Sequence, residues 1–186
     1  MKPRLLECSL YTGYAGLTLG LRLAGVPVKT ICYVENDPYC QAIIQARIKD
    51  ALLDDAPIWD DIRTFRGEQF RGLVDIVTAG FPCQPHSVAG KRRGIGDSRN
   101  LWPDTARVIS EMAPTYVLLE NVPGITQPTG RQEPCVYQVL GDLASLGYDA
   151  VWGIVAAKDV GAPHRRDRWW CLAHATGQQG DGSDTR

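Results

Sequence analysis

Short apolar runs alternate with longer mixed segments along this chain. LLECSLY (Leu5–Tyr11), VKTICYVE (Val28–Glu35) and LVDIVTAG (Leu73–Gly80) have the length and β-branched character of buried strands. Between the first two, LTLGLRLAG reads as a helix that Gly25 ends. After the second, Asn36 or Asp37 caps a helix with Pro38 at its first position, running to about Ala51. IWDDI holds a short strand. A Gly- and Arg-rich loop then reaches Asn100, followed by a helix near Leu101–Met112, the strand TYVLLEN, a helix stopping before Gly147, the strand AVWGIVAA and an apolar RWWCLAHA. Residues 175–186, ending TGQQGDGSDTR, are small and polar, and a disordered tail is expected there. Strands alternating with helices imply right-handed βαβ units: one α/β domain over residues 1–174, with a mostly parallel sheet and helices on both faces. Ligands in such sheets bind at the carboxyl ends of the strands, so the residues just after each strand carry the interest.

After the first strand, YTGYAGLTLG lets backbone approach a ligand beside a helix N-terminus; an ordinary tight turn has the same composition. Glu35 lies roughly 20 residues further on, where dinucleotide-type folds place a ribose-holding acid. A surface acid near a helix start is the alternative. Asp61 suits an adenine amino group or a solvated loop. In GFPCQPHS, Pro82 and Pro85 stiffen a turn around Cys83, the most nucleophilic common side chain once ionised; an inert loop thiol is the alternative. Glu120 ends an apolar run at the same edge, where it can acquire a raised pKa and donate a proton, or lie in water. Arg165, Arg166 and Arg168 form the densest positive patch, suited to phosphate, a carboxylate or a base edge, or to a solvated basic loop.

Composition narrows the class. A chain of 186 residues that is 44% hydrophobic suits one packed core. A net charge of −1 neither requires nor excludes nucleic acid. Of the six cysteines (Cys8, Cys32, Cys40, Cys83, Cys135 and Cys171), none forms a C-x-x-C pair or a Cys/His cluster with zinc spacing, so no metal is expected. Most read as small core residues. No apolar run approaches the roughly 20 residues that span a membrane. MKPRLLECSL has no apolar signal core, so a reduced cytoplasmic protein is expected.

Taken in order, LYTGYAGLTLGLRLAG, VENDP, DI, GFPCQPHS, GDSRNL, LLENVPG and GAPHRRDR resemble the C5-cytosine DNA methyltransferases, over nearly the whole chain to about Ala173. PCQ, ENV and the arginine block at these spacings are a highly specific combination. The resemblance implies a Rossmann-like methyltransferase fold, S-adenosylmethionine as cofactor and double-stranded DNA as partner. It also implies methyl transfer to C5 of a flipped cytosine, as in restriction–modification. Tyr11, Gly13 and Gly16 would line the donor's methionine end, with Thr12, Ala15, Leu17, Gly80 and Pro82 nearby. Glu35 and Asn36 would hold its ribose, and Asp61 and Ile62 its adenine. Cys83 would be the nucleophile. Glu120 would contact the cytosine ring nitrogen and amino group, and Arg168 its carbonyl oxygen, with Arg166 in support. Gln84, Ser87, Arg92, Arg93, Arg99, Asn121 and Val122 would face the DNA.

Several positions depart from the family pattern. Ser9 stands where an acid is usual, with Glu7 the nearest acid, and Ala15 replaces a second glycine. His86 replaces an aromatic or proline, as a pH-sensitive contact or a polar loop residue, and His164 takes a frequent glutamine position. The family continues with a target-recognition region and motifs that complete the donor pocket, whereas this sequence stops soon after the arginines. A fragment is expected, or an enzyme whose remainder a second polypeptide supplies. Three alternatives remain: a cofactor-binding remnant, an RNA cytosine-5 methyltransferase (whose CFT-like stretch is not found), and a nicotinamide oxidoreductase, which leaves PCQ and ENV without a role.

Overall fold

The computed structural model describes residues 4–82, 100–128 and 133–177. In chain order the elements are β1 (Leu5–Leu10), α1 (Gly16–Leu23), β2 (Val28–Val34), α2 (Pro38–Lys49), β3 (Ile58–Trp59), β4 (Ile76–Ala79), α3 (Trp102–Met112), β5 (Tyr116–Asn121), α4 (Cys135–Ser145), β6 (Tyr148–Ala156) and β7 (Asp167–Ala175). The seven strands form one sheet in the order β3-β2-β1-β4-β5-β7-β6. Neighbours pair in parallel from β3 to β5, and β7 runs antiparallel to both β5 and β6. The fold is the expected α/β class, a mostly parallel sheet with helices on both faces.

Local chemistry explains the element ends. The Asp37 carboxylate accepts from the N–H groups of Tyr39 (2.8 Å) and Cys40 (3.4 Å), capping α2 just ahead of Pro38. Gly25 and Gly147, with φ of 78° and 85°, follow α1 and α4 in the left-handed region where glycine is favoured. Two expectations change. The strand read at Leu73–Gly80 begins only at Ile76, because the N–H groups of Leu73 and Val74 turn back to the Phe70 carbonyl (3.0 and 3.3 Å). RWWCLAHA is a full strand, β7. Only a short 3-10 turn at Ala157–Val160 and a few further residues separate it from β6, and so short a connection returns the chain antiparallel.

The sheet's two faces are packed differently. Toward α3 and α4, alternate residues of five strands join one apolar core: Cys8 and Leu10, Cys32 and Val34, Val77 and Ala79, Val117 and Leu119, and Trp169, Cys171 and Ala173. On the opposite face Ala15, Tyr33, Ile44 and Leu53 make a small second cluster under α2. Beneath α1 the filling is polar: Glu7, Thr18, Thr30 and Thr78 are buried together. Further along that face, over β6 and β7, Val151 is 70% and Leu172 46% exposed. The expected domain boundary at 174 falls one residue before the end of β7. Of the expected tail, residues 178–186 lie outside the described residues. Among the described residues no helix is long and apolar enough to cross a membrane.

Candidate functional site

Strand β1 delivers the chain into a turn with three residues in the left-handed region: Tyr11 (φ 53°), Gly13 (53°) and Ala15 (59°). Holding non-glycine residues there costs of order 1 kcal/mol each, so neighbouring contacts must over-determine the turn. They do. The Thr12 hydroxyl donates to the Ser9 carbonyl (2.9 Å), and the Tyr11 hydroxyl to the Leu101 carbonyl (3.2 Å) while meeting Thr105 Oγ1 (2.9 Å). Burial pushes the Tyr11 phenol well above its usual range. Glu35 adds the strongest tie. Its Oε2 accepts from the Gly13 N–H (2.7 Å) and its Oε1 from the Asp37 N–H (2.8 Å), joining the ends of β1 and β2.

A cavity of about 480 Å3 opens at the carboxyl ends of β1, β4 and β5. Ser9, Leu10 and the turn from Tyr11 to Tyr14 line one side with Gly16 and Leu17, and Gly80, Glu120, Arg166, Arg168 and Trp170 line the other. That volume suits a nucleoside-sized ligand. Gly16 faces open space, and a Cβ at Gly80 would make an ordinary contact, 3.5 Å from Glu120 Oε2. Backbone is therefore presented to whatever fills the cavity. A second cavity of about 440 Å3, lined by Val155, Ala156, Ala157 and Val160, shares Arg166, Arg168 and Trp170 with the first.

Glu120 and Arg168 meet at the cavity wall, with Arg168 Nε 2.7 Å from Glu120 Oε1. Both side chains are about three-quarters buried. Burial raises the Glu120 carboxyl above the ordinary carboxylate range, while Arg168 and then Arg166 pull the other way. Arg168 is steadied by donating to the Asp167 carbonyl (2.8 Å). Arg166 is exposed and holds a strained φ of 36°. Arg165 points to Asp167 (2.9 Å) and is not among the lining residues.

The structure thus brings Tyr11, Thr12, Gly13, Gly16, Leu17, Gly80, Glu120, Arg166 and Arg168 around one cavity. Other predicted residues stand apart from its wall. Glu35 and Asn36 follow β2, with the Glu35 N–H donating to the Trp59 carbonyl (2.9 Å). Asp61 accepts from the Arg63 N–H (2.9 Å), and the buried Ile62 gives its carbonyl to Arg107 (2.7 Å). These residues belong to the next strand ends along the same edge. Ala15 is buried in the small cluster under α2, not in the cavity. Asn121 is buried and donates to the Phe81 carbonyl (2.9 Å), with its own Oδ1 accepting from the Val122 N–H (2.8 Å). Phe81 also rests on Trp102, ring centroids 5.1 Å apart, so the chain leading to the exposed Pro82 is fixed at its root. Cys83, Gln84, Ser87, Arg92, Arg93 and Arg99, with His86, lie outside the described residues.

Ser9, Leu10, Tyr14 and Trp170 line the cavity without having been singled out for it. The signal for Ser9 and Trp170 was the two-residue strand period, which places Ser9 with Glu7 and Trp170 with Arg168. Nothing in the sequence marks Leu10 or Tyr14. Among the described residues no group of His, Cys, Asp and Glu could hold a metal ion.

The family model "C-5 cytosine-specific DNA methylase" matches residues 7–183. A type II methyltransferase, M.CviJI of Paramecium bursaria Chlorella virus IL3A, is 32% identical over 93% of this chain and 43% of its own length. M.NgoMIV of Neisseria gonorrhoeae is 34% identical over 84% and 47%. The crystal structure of the S. pombe Dnmt2 methyltransferase superposes with a TM-score of 0.72 at 26% identity, over 92% of this chain and 51% of that one. The chain spans about half the length of the relatives it matches.

Proposed function

The chain belongs to the C-5 cytosine-specific DNA methylase family, and from that premise we propose that it is the catalytic part of a DNA cytosine-5 methyltransferase. The observation that carries the proposal is the Glu120–Arg168 pair at the wall of a glycine-turn cavity, where β4 leads toward Cys83. S-adenosylmethionine would supply an electrophilic methyl group. Tyr11, Thr12, Gly13, Gly16, Leu17 and Gly80 would hold its methionine end, Glu35 and Asn36 its ribose, and Asp61 and Ile62 its adenine. The residues present fit that group. The cavity has room for the methionine end, open backbone faces it at Gly16, and beyond its wall each Glu35 oxygen accepts one N–H bond among the described residues, which leaves acceptor capacity for ribose hydroxyls.

Cytosine C5 is a poor nucleophile. The Cys83 thiolate adds to C6, breaking the C5–C6 double bond and pushing the electron pair into the ring. Glu120, whose raised pKa favours a carried proton, donates it at the ring nitrogen, and Arg168 stabilises the carbonyl oxygen with support from Arg166. C5 would then take the methyl group that the donor supplies, the bonding pair staying on the donor's sulfur, and the ring nitrogen would return its proton to Glu120. A base would remove the C5 proton and the Cys83–C6 bond would break to release the thiolate. The cytosine must leave the duplex first, because Cys83 cannot reach C6 within the stack. Without a substrate, Glu120 and Arg168 satisfy each other; the base edge replaces that contact.

A duplex containing 5-fluorocytosine tests this, because fluorine at C5 blocks proton removal and leaves the adduct in place. With S-adenosylmethionine and the C-terminal half of a matched relative supplied, an adduct mapping to Cys83 is expected. No adduct with Cys83 intact overturns the mechanism. We further propose that the chain alone gives little sequence-specific methylation, the remainder coming from a continuing chain or a second polypeptide. The comparisons lend the second polypeptide no support of their own. Robust transfer to one defined site by the purified chain alone overturns that statement.

A further inference from the structure

Glu7 is a fully buried carboxylate at the centre of the sheet. Three threonines on three different elements donate to it: Thr18 of α1 (2.9 Å) and Thr78 of β4 (2.8 Å) to Oε1, and Thr30 of β2 (2.7 Å) to Oε2. All three hydroxyls are themselves buried. A hydroxyl has one proton to give, and each of the three is placed to give it to the carboxylate, so an ionised Glu7 is fully supplied with donors. Among the described residues the partners of the charge are these neutral dipoles. A register shift between Glu7 and Cys8 opens the β1–β2 ladder beside it.

Its position relative to the cavity matters. Ser9 is one pleat further along the same face of β1 and lines the cavity. Thr78 lies opposite Ser9 on β4, and Gly80, next in that row, lines the cavity too. The Glu7 backbone therefore lies roughly 7 Å before that of Ser9 at the cavity floor, at about 3.3 Å of rise per residue, with its side chain on the same face. A charge in that place acts on the cavity floor through protein, where salt screens it much less than at the surface.

We propose that Glu7 is a specificity-determining residue of the donor cavity: its buried charge favours a cationic sulfonium ligand over the neutral thioether left after transfer. This rests on the donor reading above. Methyl transfer moves the carbon to the base and leaves the donor's bonding pair on sulfur, so the ligand loses its positive charge in the step. A fixed anion beneath it holds the donor and loosens the product. At about 10 Å and an effective dielectric near 20, the preference is roughly tenfold.

Calorimetry with this chain and the supplied C-terminal half of a matched relative tests this, titrating S-adenosylmethionine and S-adenosylhomocysteine into wild type and Glu7→Gln. The expected result is a roughly tenfold rise in the ratio of the sulfonium Kd to the thioether Kd, with the thioether Kd little changed and the shift only weakly dependent on salt. A scaffold role alone weakens both ligands equally, and that result overturns the proposal. Should Glu7→Gln lose its native circular dichroism, the double variant Thr30→Val with Thr78→Val replaces it. Without two of its three donors the buried carboxylate loses most of the dipoles that hold its charge, and the ratio moves the same way; an unchanged ratio overturns the proposal. Wild type binding neither ligand overturns the donor reading together with this one.

Discussion

Leu119 and Glu120 are neighbours on β5 and face opposite sides of the sheet. Leu119 is fully buried among Val117, Trp169 and Cys171 in the core shared with α3 and α4. Glu120 stands on the cavity wall against Arg168. The same division repeats across the sheet. Cys8 and Leu10 oppose Glu7 and Ser9, Val77 and Ala79 oppose Thr78 and Gly80, and Trp169 and Cys171 oppose Arg168 and Trp170. One face carries the cohesion of the fold through apolar burial. The other gives up that cohesion for polar groups that act on a ligand. Substitutions one residue apart should therefore fail in different ways.

Leu119→Ala is expected to cost about 2–5 kcal/mol, read from the urea midpoint, because the fully buried site has no solvent to fill the void. Glu120→Gln is expected to leave that midpoint within about 1 kcal/mol, since it loses only one partly exposed ion pair. Its damage should be chemical: a fall of about 100- to 1,000-fold in methyl incorporation into DNA, once the C-terminal half is supplied. A large stability loss in Glu120→Gln, with transfer intact, would erase the division between the faces.

The apolar face was far easier to read from sequence than the polar one. β4 (IVTA) and β5 (YVLLEN) have little solvent on either side, so they appear within near-continuous apolar runs. RWWCLAHA was seen as apolar but not as a strand. Its outward residues Trp170 and Leu172 are as apolar as its inward ones, which hides the alternation. Glu120 and Arg168 were each expected at the ligand edge, but their pairing depends on β7 lying antiparallel to β5, which no local pattern announces. Glu7 was legible only as the acid nearest Ser9. Its partners lie 11, 23 and 71 residues away, and three threonines scattered so widely have no sequence signature.

The pH dependence sharpens the comparison on the polar side. Burial holds the Glu120 carboxyl above its unfolded value of about 4.3. A group raised in the folded state contributes stability that is fully present below the unfolded pKa and lost as pH rises through the folded one. Wild type should therefore gain urea resistance relative to Glu120→Gln on acidification, most below about pH 4. Paired titrations of the two proteins from about pH 7 downward cancel the other carboxylates and read this directly. The opposite sign would mean that Arg168, not burial, governs Glu120.

The smallest effect is expected on the open part of the polar face. Leu172 on β7 is 46% exposed, and Val151 opposite it on β6 is 70% exposed. The next residue, Cys171, is fully buried on the other face, and burial pushes its thiol up to about 11. Cys171→Ser would place a hydroxyl in an apolar site and is expected to cost about 1–3 kcal/mol. Leu172→Ser removes apolar surface that water already touches, so a change within about 0.5 kcal/mol is expected from the urea midpoint. A cost above about 1.5 kcal/mol at Leu172 would match large-to-small changes at buried sites. It would mean that this face is packed against something in solution, and a protein-concentration dependence of the midpoint would identify self-association as the cause.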